Sequence, residues 1–293
     1  SGCSVHSPPT SRERSRVAQP VRTAILVYLY VYLVAFTLGY ARGLPGIEAS
    51  SSDRALLTTL GLAGVALVTA DGIPDRARLD VLLRRLTVGG AVMALLGEIQ
   101  FVFGIDLVGK IKVPGLSLNA GLIGVASRGD AGLRRVAGTA SHYIEFGVVA
   151  ALLLPLALHY ALYARDRAER QWRWAIVAVI GAAVPFSISR SAFLCLIASL
   201  VVLAALWRIR MQAQALAVAM VAMMALRFVV PGLLGTIMSL FRNMGSDPSV
   251  QNREADYPIV FRYIAERPWF GRGPGTFMPE RYILLDNELL GTI

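Results

Sequence analysis

Charged residues are scarce in this chain. They make up 16% of its 293 residues, whereas a soluble domain carries about 25%. Hydrophobic residues make up 55%, and they gather in runs whose length suits the roughly 30 Å apolar core of a bilayer. This composition argues against a soluble enzyme, a disordered scaffold and a disulfide-stapled secreted domain.

Cysteine, histidine and lysine are also rare. Cys3 lies in a polar tail and Cys195 in an apolar run, and the chain has 3 histidines, so neither a disulfide framework nor a metal centre is expected. Only Lys110 and Lys112 among the 29 basic residues are lysines. We attribute this excess of arginine to a GC-rich genome. We therefore predict no metal, no cofactor and no nucleic-acid partner.

Seven apolar runs predict an all-α fold, a polytopic transmembrane helix bundle with about seven spans. The runs are 23–40, 55–70, 86–104, 143–164, 174–188, 191–207 and 213–234. The second, fifth and sixth are short, which fits helices packed inside a bundle. The chain begins at Ser1 and ends as another apolar run begins, so we expect a piece of a longer protein.

The basic residues of the loops predict the orientation. If the N-terminal tail is cytoplasmic, the inner segments hold 14 basic residues and the short outer segments hold 8. Since inner loops collect Lys and Arg, the tail is expected inside. We predict a cytoplasmic basic tail over 1–22, a transmembrane bundle over 23–234 and an extracytoplasmic loop over 235–293 that leads into a further span.

Several ionisable residues within or beside the spans share one predicted depth near the outer leaflet. They are Glu98, His142, Glu145, Arg190 and Arg227. Ionisable groups at membrane depth usually face the bundle interior or a wet cavity, so a common outward-facing polar cavity is predicted. The alternatives are helix capping by His142, an internal pair of Glu98 with Arg227, and an Arg190 that reaches lipid headgroups.

Two outer segments add further basic residues. The loop 105–141 carries Arg135 among its five basic residues, which indicates either simple solvation or attraction for a polyanion or a phosphate-bearing lipid. After residue 234, the pattern predicts an amphipathic helix that ends at Pro268. The glycine-rich stretch 269–277 then predicts a tight turn that sets Arg272 against a headgroup.

Three motifs carry a family resemblance. They are the stretch 135–147 at the start of a span, the turn 187–193, and the outer segment with 249–253, 266–277 and Asp286-Asn287. In their order and spacing they resemble the O-antigen ligase and polysaccharide polymerase (Wzy-like) superfamily of bacterial membrane proteins. The resemblance covers about residues 85–293.

The resemblance implies an all-helical, metal-independent glycosyltransferase in the bacterial cytoplasmic membrane. Such enzymes transfer a polyprenyl-diphosphate-linked glycan to a glycan or lipid acceptor at the outer face. In the family, arginines at the outer face bind the diphosphate. Arg190 matches one of these arginines by position, and Arg253 and Arg272 are candidates in the outer loop. Arg227 and Arg135 are further substrate-binding candidates. Ligases of the family place His before Asn where this chain has Asp286, which leaves polymerase or another glycan transfer open.

The candidate catalytic residues are Asp286, Glu145 and His142. A carboxylate at position 286 is a competent proton acceptor toward an acceptor hydroxyl, although Asp at a helix start is often only an N-cap. A transporter or flippase for an anionic lipid or glycan is the main alternative. It predicts internal repeats and helices interrupted at mid-membrane, and we find no repeat. A structural membrane protein without chemistry is the third possibility.

Overall fold

The computed structural model describes residues 20–73, 75–105, 126–128, 133–242, 248–279, 281–283 and 285. Most of these residues are helical, which confirms the predicted all-α, polytopic fold. The helices are α1 (Pro20–Ala41), α2 (Gly46–Gly72), α3 (Arg76–Phe103), α4 (Tyr143–Leu162), α5 (Arg167–Phe186), α6 (Arg190–Ala205), α7 (Ile209–Val229), α8 (Leu233–Arg242) and α9 (Pro248–Glu266).

A short antiparallel ribbon interrupts the loop predicted between α3 and α4. It consists of β1 (Ala126–Arg128) and β2 (Leu133–Arg135), with Ala126 opposite Arg135. The sequence did not predict these strands, because three residues are too few to establish the alternation that marks a strand.

Each of the seven predicted apolar runs falls largely within one of the helices α1 to α7, and the last run extends beyond α7 into the start of α8. Among the described helices, five are long and apolar enough to cross a membrane, namely α1, α2, α3, α4 and α7. The predicted number of about seven spans is therefore corrected to five. Charged residues occupy the first two turns of α5. Helix α6 has only 16 residues, about 24 Å of helix, which is less than a bilayer core.

The first of two compact units comprises residues 1–75 and 248–293. In its described part, α1 and α2 are neighbours, and the Tyr40 hydroxyl donates to Asp53 Oδ1 at 2.5 Å between them. The amphipathic helix predicted to end at Pro268 is α9, which ends at Glu266 but begins as early as Pro248. Proline suits a first helical position because its fixed φ and missing N–H cost nothing there.

The second unit comprises residues 76–247, and α4 lies at its centre against α3, α5 and α6. Its core contains Phe146, Ile180, Val184, Ile188 and Leu233, all fully buried. Small residues let the helix backbones approach closely, as is typical of helix packing in membranes.

The middle of helix α7, residues 215–226, is apolar on all sides, and none of the helix residues is buried. A helix of this kind needs an apolar environment around it, which a lipid bilayer supplies. Together with the other four apolar helices, α7 identifies the chain as a polytopic membrane protein. The predicted boundaries at residues 22 and 234 concern placement in the membrane and stay predictions.

Candidate functional site

A buried turn joins α5 to α6 and places Arg190 at the start of α6. Ser187, Ile188 and Ser189 are all buried. Ile188 adopts a φ of +45°, a conformation that costs a β-branched residue about 1–3 kcal/mol. Its side chain packs into the core, and Ser187 Oγ donates to the Val184 carbonyl at 2.7 Å. The surrounding packing therefore fixes both the turn and the backbone of Arg190.

Arg190 is half-buried, and its position favours anions. Its Nη1 donates to the Leu240 carbonyl at 3.4 Å, in the last turn of α8. The preceding N-cap residue, Ser189, makes no side-chain cap hydrogen bond to α6. The N–H groups at this helix start carry partial positive charge, which adds to the guanidinium charge. A helix N-terminus beside an arginine is suited to a phosphate group.

The start of α4 brings three segments of the predicted cavity together. A Cβ on Gly97 would collide with the Phe146 ring, so α3 touches α4 beside Glu98. A Cβ on Gly147 would lie 2.6 Å from the Ala192 Cβ and would collide with Ser187 Oγ, so α4 touches the turn that carries Arg190. The segments around Glu98, Glu145 and Arg190 thus meet at one end of the unit.

His142 and Glu145 both cap α4. His142 is the N-cap, and its Nδ1 accepts the Ile144 N–H at 3.3 Å. Glu145 Oε2 accepts the Ser141 N–H at 3.1 Å. Both side chains are exposed. The capping role weighed for His142 is therefore confirmed, while catalytic roles for these two residues stay predictions.

The segment that leads into α4 is held by buried polar groups. Gln100 Nε2 donates to the Gly138 carbonyl at 3.2 Å, and the Gly138 N–H donates to Gln100 Oε1 at 2.9 Å. Gly138 has a φ of +59°, which favours glycine. Arg135 is buried, with Cζ 4.3 Å from the centroid of the Tyr143 ring and Nη1 donating to the Tyr143 hydroxyl at 2.7 Å. Arg135 thus has a clear packing role beside its predicted substrate contact.

Glu98 carries a buried carboxylate oxygen. Its Oε1 has no hydrogen-bond partner among the described residues. An ionisable group within a span usually faces a cavity or a functional partner, because burial in an apolar environment is costly. This orphaned oxygen supports the prediction that the end of α3 borders a polar cavity.

The opposite end of the second unit carries a network of paired charges. Arg84 Nε lies 2.8 Å from Asp80 Oδ2 and its Nη1 lies 3.4 Å from Glu169 Oε1. Arg173 Nη2 lies 3.5 Å from the same Glu169 oxygen. The Tyr160 hydroxyl donates to Asp80 Oδ1 at 2.9 Å. These bonds join α3, α4 and α5 through side chains whose charges neutralise one another.

The glycine-rich stretch in the first unit forms the predicted tight turn. Gly271, Gly273 and Gly275 have φ values of +54°, +125° and +70°. A Cβ on Gly39 would lie 3.0 Å from the Arg272 carbonyl oxygen, so the turn passes very close to α1. Arg42 Nη1 donates to the Gly271 carbonyl at 2.8 Å. Glycine is needed because both the conformation and the close approach exclude larger residues.

Glu48 is the partner of this turn, and sequence reasoning missed it. It lies in the first turn of α2 and is fully buried. Its carboxylate accepts from Arg272 Nε at 2.9 Å and from the Tyr282 hydroxyl at 3.0 Å, and Arg281 Nη1 lies 3.1 Å from Oε1 as an ion pair. The hydrogen bond to Glu48 raises the pKa of Arg272 above its usual value. Burial, and next the bond to Glu48, raise the pKa of Tyr282.

The remaining predicted residues are placed as follows. Arg227 lies in the last turn of α7 with an exposed side chain, and Arg253 lies in α9. Asp286 lies outside the described residues, as does the side chain of Arg253. Arg190 belongs to the second unit and Arg272 to the first.

One comparison with known proteins finds a family model that matches the C-terminal part of the chain. Residues 174–292 match the family model described as O-antigen ligase. The match confirms the resemblance predicted from the motifs, over a shorter range than expected. It supports a membrane glycan ligase or polymerase family, whose substrates are lipid-linked glycans. The matched range includes Arg190, Arg253, Arg272 and Asp286, whereas Glu48, His142 and Glu145 lie outside it. No curated protein and no solved structure matches the chain.

Proposed function

We propose that this chain, with its O-antigen ligase match, transfers a polyprenyl-diphosphate-linked oligosaccharide at the outer face of the bacterial cytoplasmic membrane. The acceptor is a glycan or a lipid, and the enzyme is a metal-independent glycosyltransferase. The observation that carries the proposal is Arg190, fixed at the start of α6 by a buried turn within the family-matched range. A preorganised cation of this kind suits a diphosphate leaving group.

The donor diphosphate is bound by arginines. As the glycosidic bond to the diphosphate breaks, negative charge grows on the leaving oxygen, and a cation already in place stabilises it without reorganisation. Arg190 contributes its guanidinium beside the N–H groups of α6. Arg272 binds Glu48 through Nε, and it contributes the donors of its two terminal nitrogens. Arg253, Arg227 and Arg135 are secondary candidates for donor contacts.

The acceptor reaction needs one proton acceptor. The acceptor hydroxyl oxygen attacks the anomeric carbon, its proton passes to a base, and polyprenyl diphosphate leaves with the electron pair of the broken bond. We assign the base to Asp286 first and to Glu145 second. His142 Nδ1 accepts the Ile144 N–H, so a neutral ring carries its proton on Nε2 and offers a donor there rather than a base.

Complementation tests this function. Cells that lack the protein should lose a surface glycan or its longer chains, and the wild type should restore it. Arg190→Lys and Arg272→Lys keep the charge but lose the planar fork, so each should lower transfer about tenfold or more. Asp286→Asn should abolish extension if Asp286 is the base. Arg210→Lys, on the exposed first turn of α7, is the matched control and should behave as the wild type.

An unchanged glycan profile in the deletion strain would contradict the proposed function. Full activity of Arg190→Lys would remove that arginine from the donor site. Full activity of Asp286→Asn would transfer the role of base to Glu145.

A further inference from the structure

Glu48 has an unusual environment for a carboxylate. It is 0% exposed, while the side chains of its two cationic partners, Arg272 and Arg281, are 40% and 48% exposed. The buried carboxylate of Glu48 thus contacts two arginine side chains that are both partly exposed. Two guanidinium groups share this carboxylate, Glu266 adds a weaker favourable interaction with Arg272, and both arginine side chains remain accessible from outside.

The contacts of Glu48 also fix the directions of the two arginines. Arg272 uses Nε and Arg281 uses Nη1, and the two bonds end on different oxygens of the carboxylate. The Tyr282 hydroxyl adds a third bond to one of these oxygens. A guanidinium has five N–H donors in a rigid plane, so each arginine keeps donors for a further partner.

The backbone around Glu48 is equally constrained. A Cβ on Gly275 would lie 2.5 Å from the Ala55 Cβ and 3.2 Å from the Ser51 carbonyl oxygen, so the glycine-rich turn rests directly on α2. Arg42 holds the turn through the Gly271 carbonyl. Glu48 also lies in the first turn of α2, where the helix dipole stabilises a negative charge.

From this arrangement we infer that Glu48 is a positioning residue, which orients Arg272 and Arg281 as a two-arginine site for the donor diphosphate. The inference rests on the proposed function and deepens it. It adds Arg281 as a donor-binding residue and assigns a role to Glu48, which lies outside the family-matched range. Two arginines held by the two oxygens of one carboxylate suit a diphosphate, because each phosphate group offers an anionic oxygen to one guanidinium.

Binding of inorganic pyrophosphate to the full chain in detergent tests the inference without requiring glycan transfer. Glu48→Gln removes the anion but keeps the size of the side chain, and it should raise the pyrophosphate Kd about tenfold because the arginines lose their common orientation. Glu48→Asp keeps the charge and should recover part of the affinity. The control is Asp53→Asn, which changes another carboxylate of α2, bonded to Tyr40 and not to either arginine, and its Kd should match the wild type.

The variants separate the two ideas. If Arg272→Lys weakens pyrophosphate binding and a folded Glu48→Gln does not, the inference about Glu48 is overturned and the proposed function stands. If Arg272→Lys binds as the wild type does, or the wild type binds no pyrophosphate, the diphosphate role of Arg272 itself is contradicted.

Arg281→Gln provides a second route if Glu48→Gln does not fold. The buried carboxylate then keeps Arg272 and Tyr282 as partners, so the variant should insert normally. Its pyrophosphate Kd should rise about tenfold, equivalent to the loss of one charge-assisted contact. An unchanged Kd in Arg281→Gln would overturn the two-arginine site.

Discussion

The two ends of the packed core formed by α3, α4, α5 and α6 hold their polar side chains in different ways. At one end, charged side chains bond to each other across helices; at the other, polar side chains bond mainly to the main chain. The side chains are Asp80, Arg84, Tyr160, Glu169 and Arg173 at the first end, and Gln100, His142, Glu145 and Arg190 at the second.

This difference indicates different roles. Opposite charges at the first end cancel within the protein, so that end fastens the helices. At the second end, the described bonds to main-chain groups fix the segments that carry the predicted site residues. We therefore expect changes at the first end to affect stability and changes at the second to affect activity.

The largest expected effect is the loss of activity in Arg190→Gln. Removal of a preorganised charge at the leaving group should lower transfer about 100-fold or more. The thermal unfolding temperature should change much less than the activity, since the bond from Arg190 Nη1 to the Leu240 carbonyl is a long one of 3.4 Å. Transfer assays and unfolding in detergent measure the two effects. If Arg190→Gln lowered the unfolding temperature but kept its activity per folded molecule, Arg190 would be a stabilising residue rather than a functional one.

Gly147→Ala should give the next largest effect, through packing. The added methyl group would collide with Ser187 Oγ and displace the turn that carries Arg190. Overpacking of this kind destabilises by about 1–3 kcal/mol, and activity should fall with it. The control is Gly181→Ala, where the new methyl group would meet Leu154 at an ordinary 3.7 Å. If both variants behave alike, close packing at Gly147 is not what positions the turn.

Tyr160→Phe should lower stability without lowering activity. The change removes the hydroxyl that donates to Asp80 Oδ1, at a cost of about 1 kcal/mol. Tyr163→Phe is the matched control, because Tyr163 is exposed at the end of the same helix. Unfolding temperature and transfer rate per folded molecule separate the outcomes. A strong loss of transfer in Tyr160→Phe would show that the first end also takes part in the reaction.

The smallest effect is expected for His142→Asn. Asparagine is a good N-cap, so it should replace the cap that Nδ1 provides, whereas His142→Ala should lose about 1 kcal/mol of stability. Activity should survive in the asparagine variant, because the proton of a neutral His142 lies on Nε2. A folded but inactive His142→Asn would return His142 to the catalytic residues.

Sequence reasoning succeeded where the signal is local. Apolar runs located α1 to α7, and the short polar turn before Arg190 was recognisable from the residues that flank it. The number of spans was too high because an apolar run marks a helix even when charged turns or a short length prevent it from crossing. Gln100 was also missed, since its partner Gly138 lies 38 residues away in a loop.

Glu48 marks the limit of such reasoning. Its hydrogen-bond partner Arg272 lies 224 residues further along the chain, and nothing near Glu48 distinguishes it from an ordinary acidic residue in a first helical turn. Burial of a carboxylate depends on which cations the fold brings to it, and composition and periodicity do not record that.

The central claim, that Arg190 binds the donor diphosphate, is tested most directly by the binding of a fluorescent polyprenyl diphosphate to purified protein in detergent. The corresponding polyprenol reports the lipid contribution alone. In Arg190→Lys the Kd for the diphosphate should rise about tenfold, which corresponds to the loss of one charge-assisted hydrogen bond. The Kd for the polyprenol should stay constant. Equal diphosphate affinities of Arg190→Lys, Arg210→Lys and the wild type would contradict the claim.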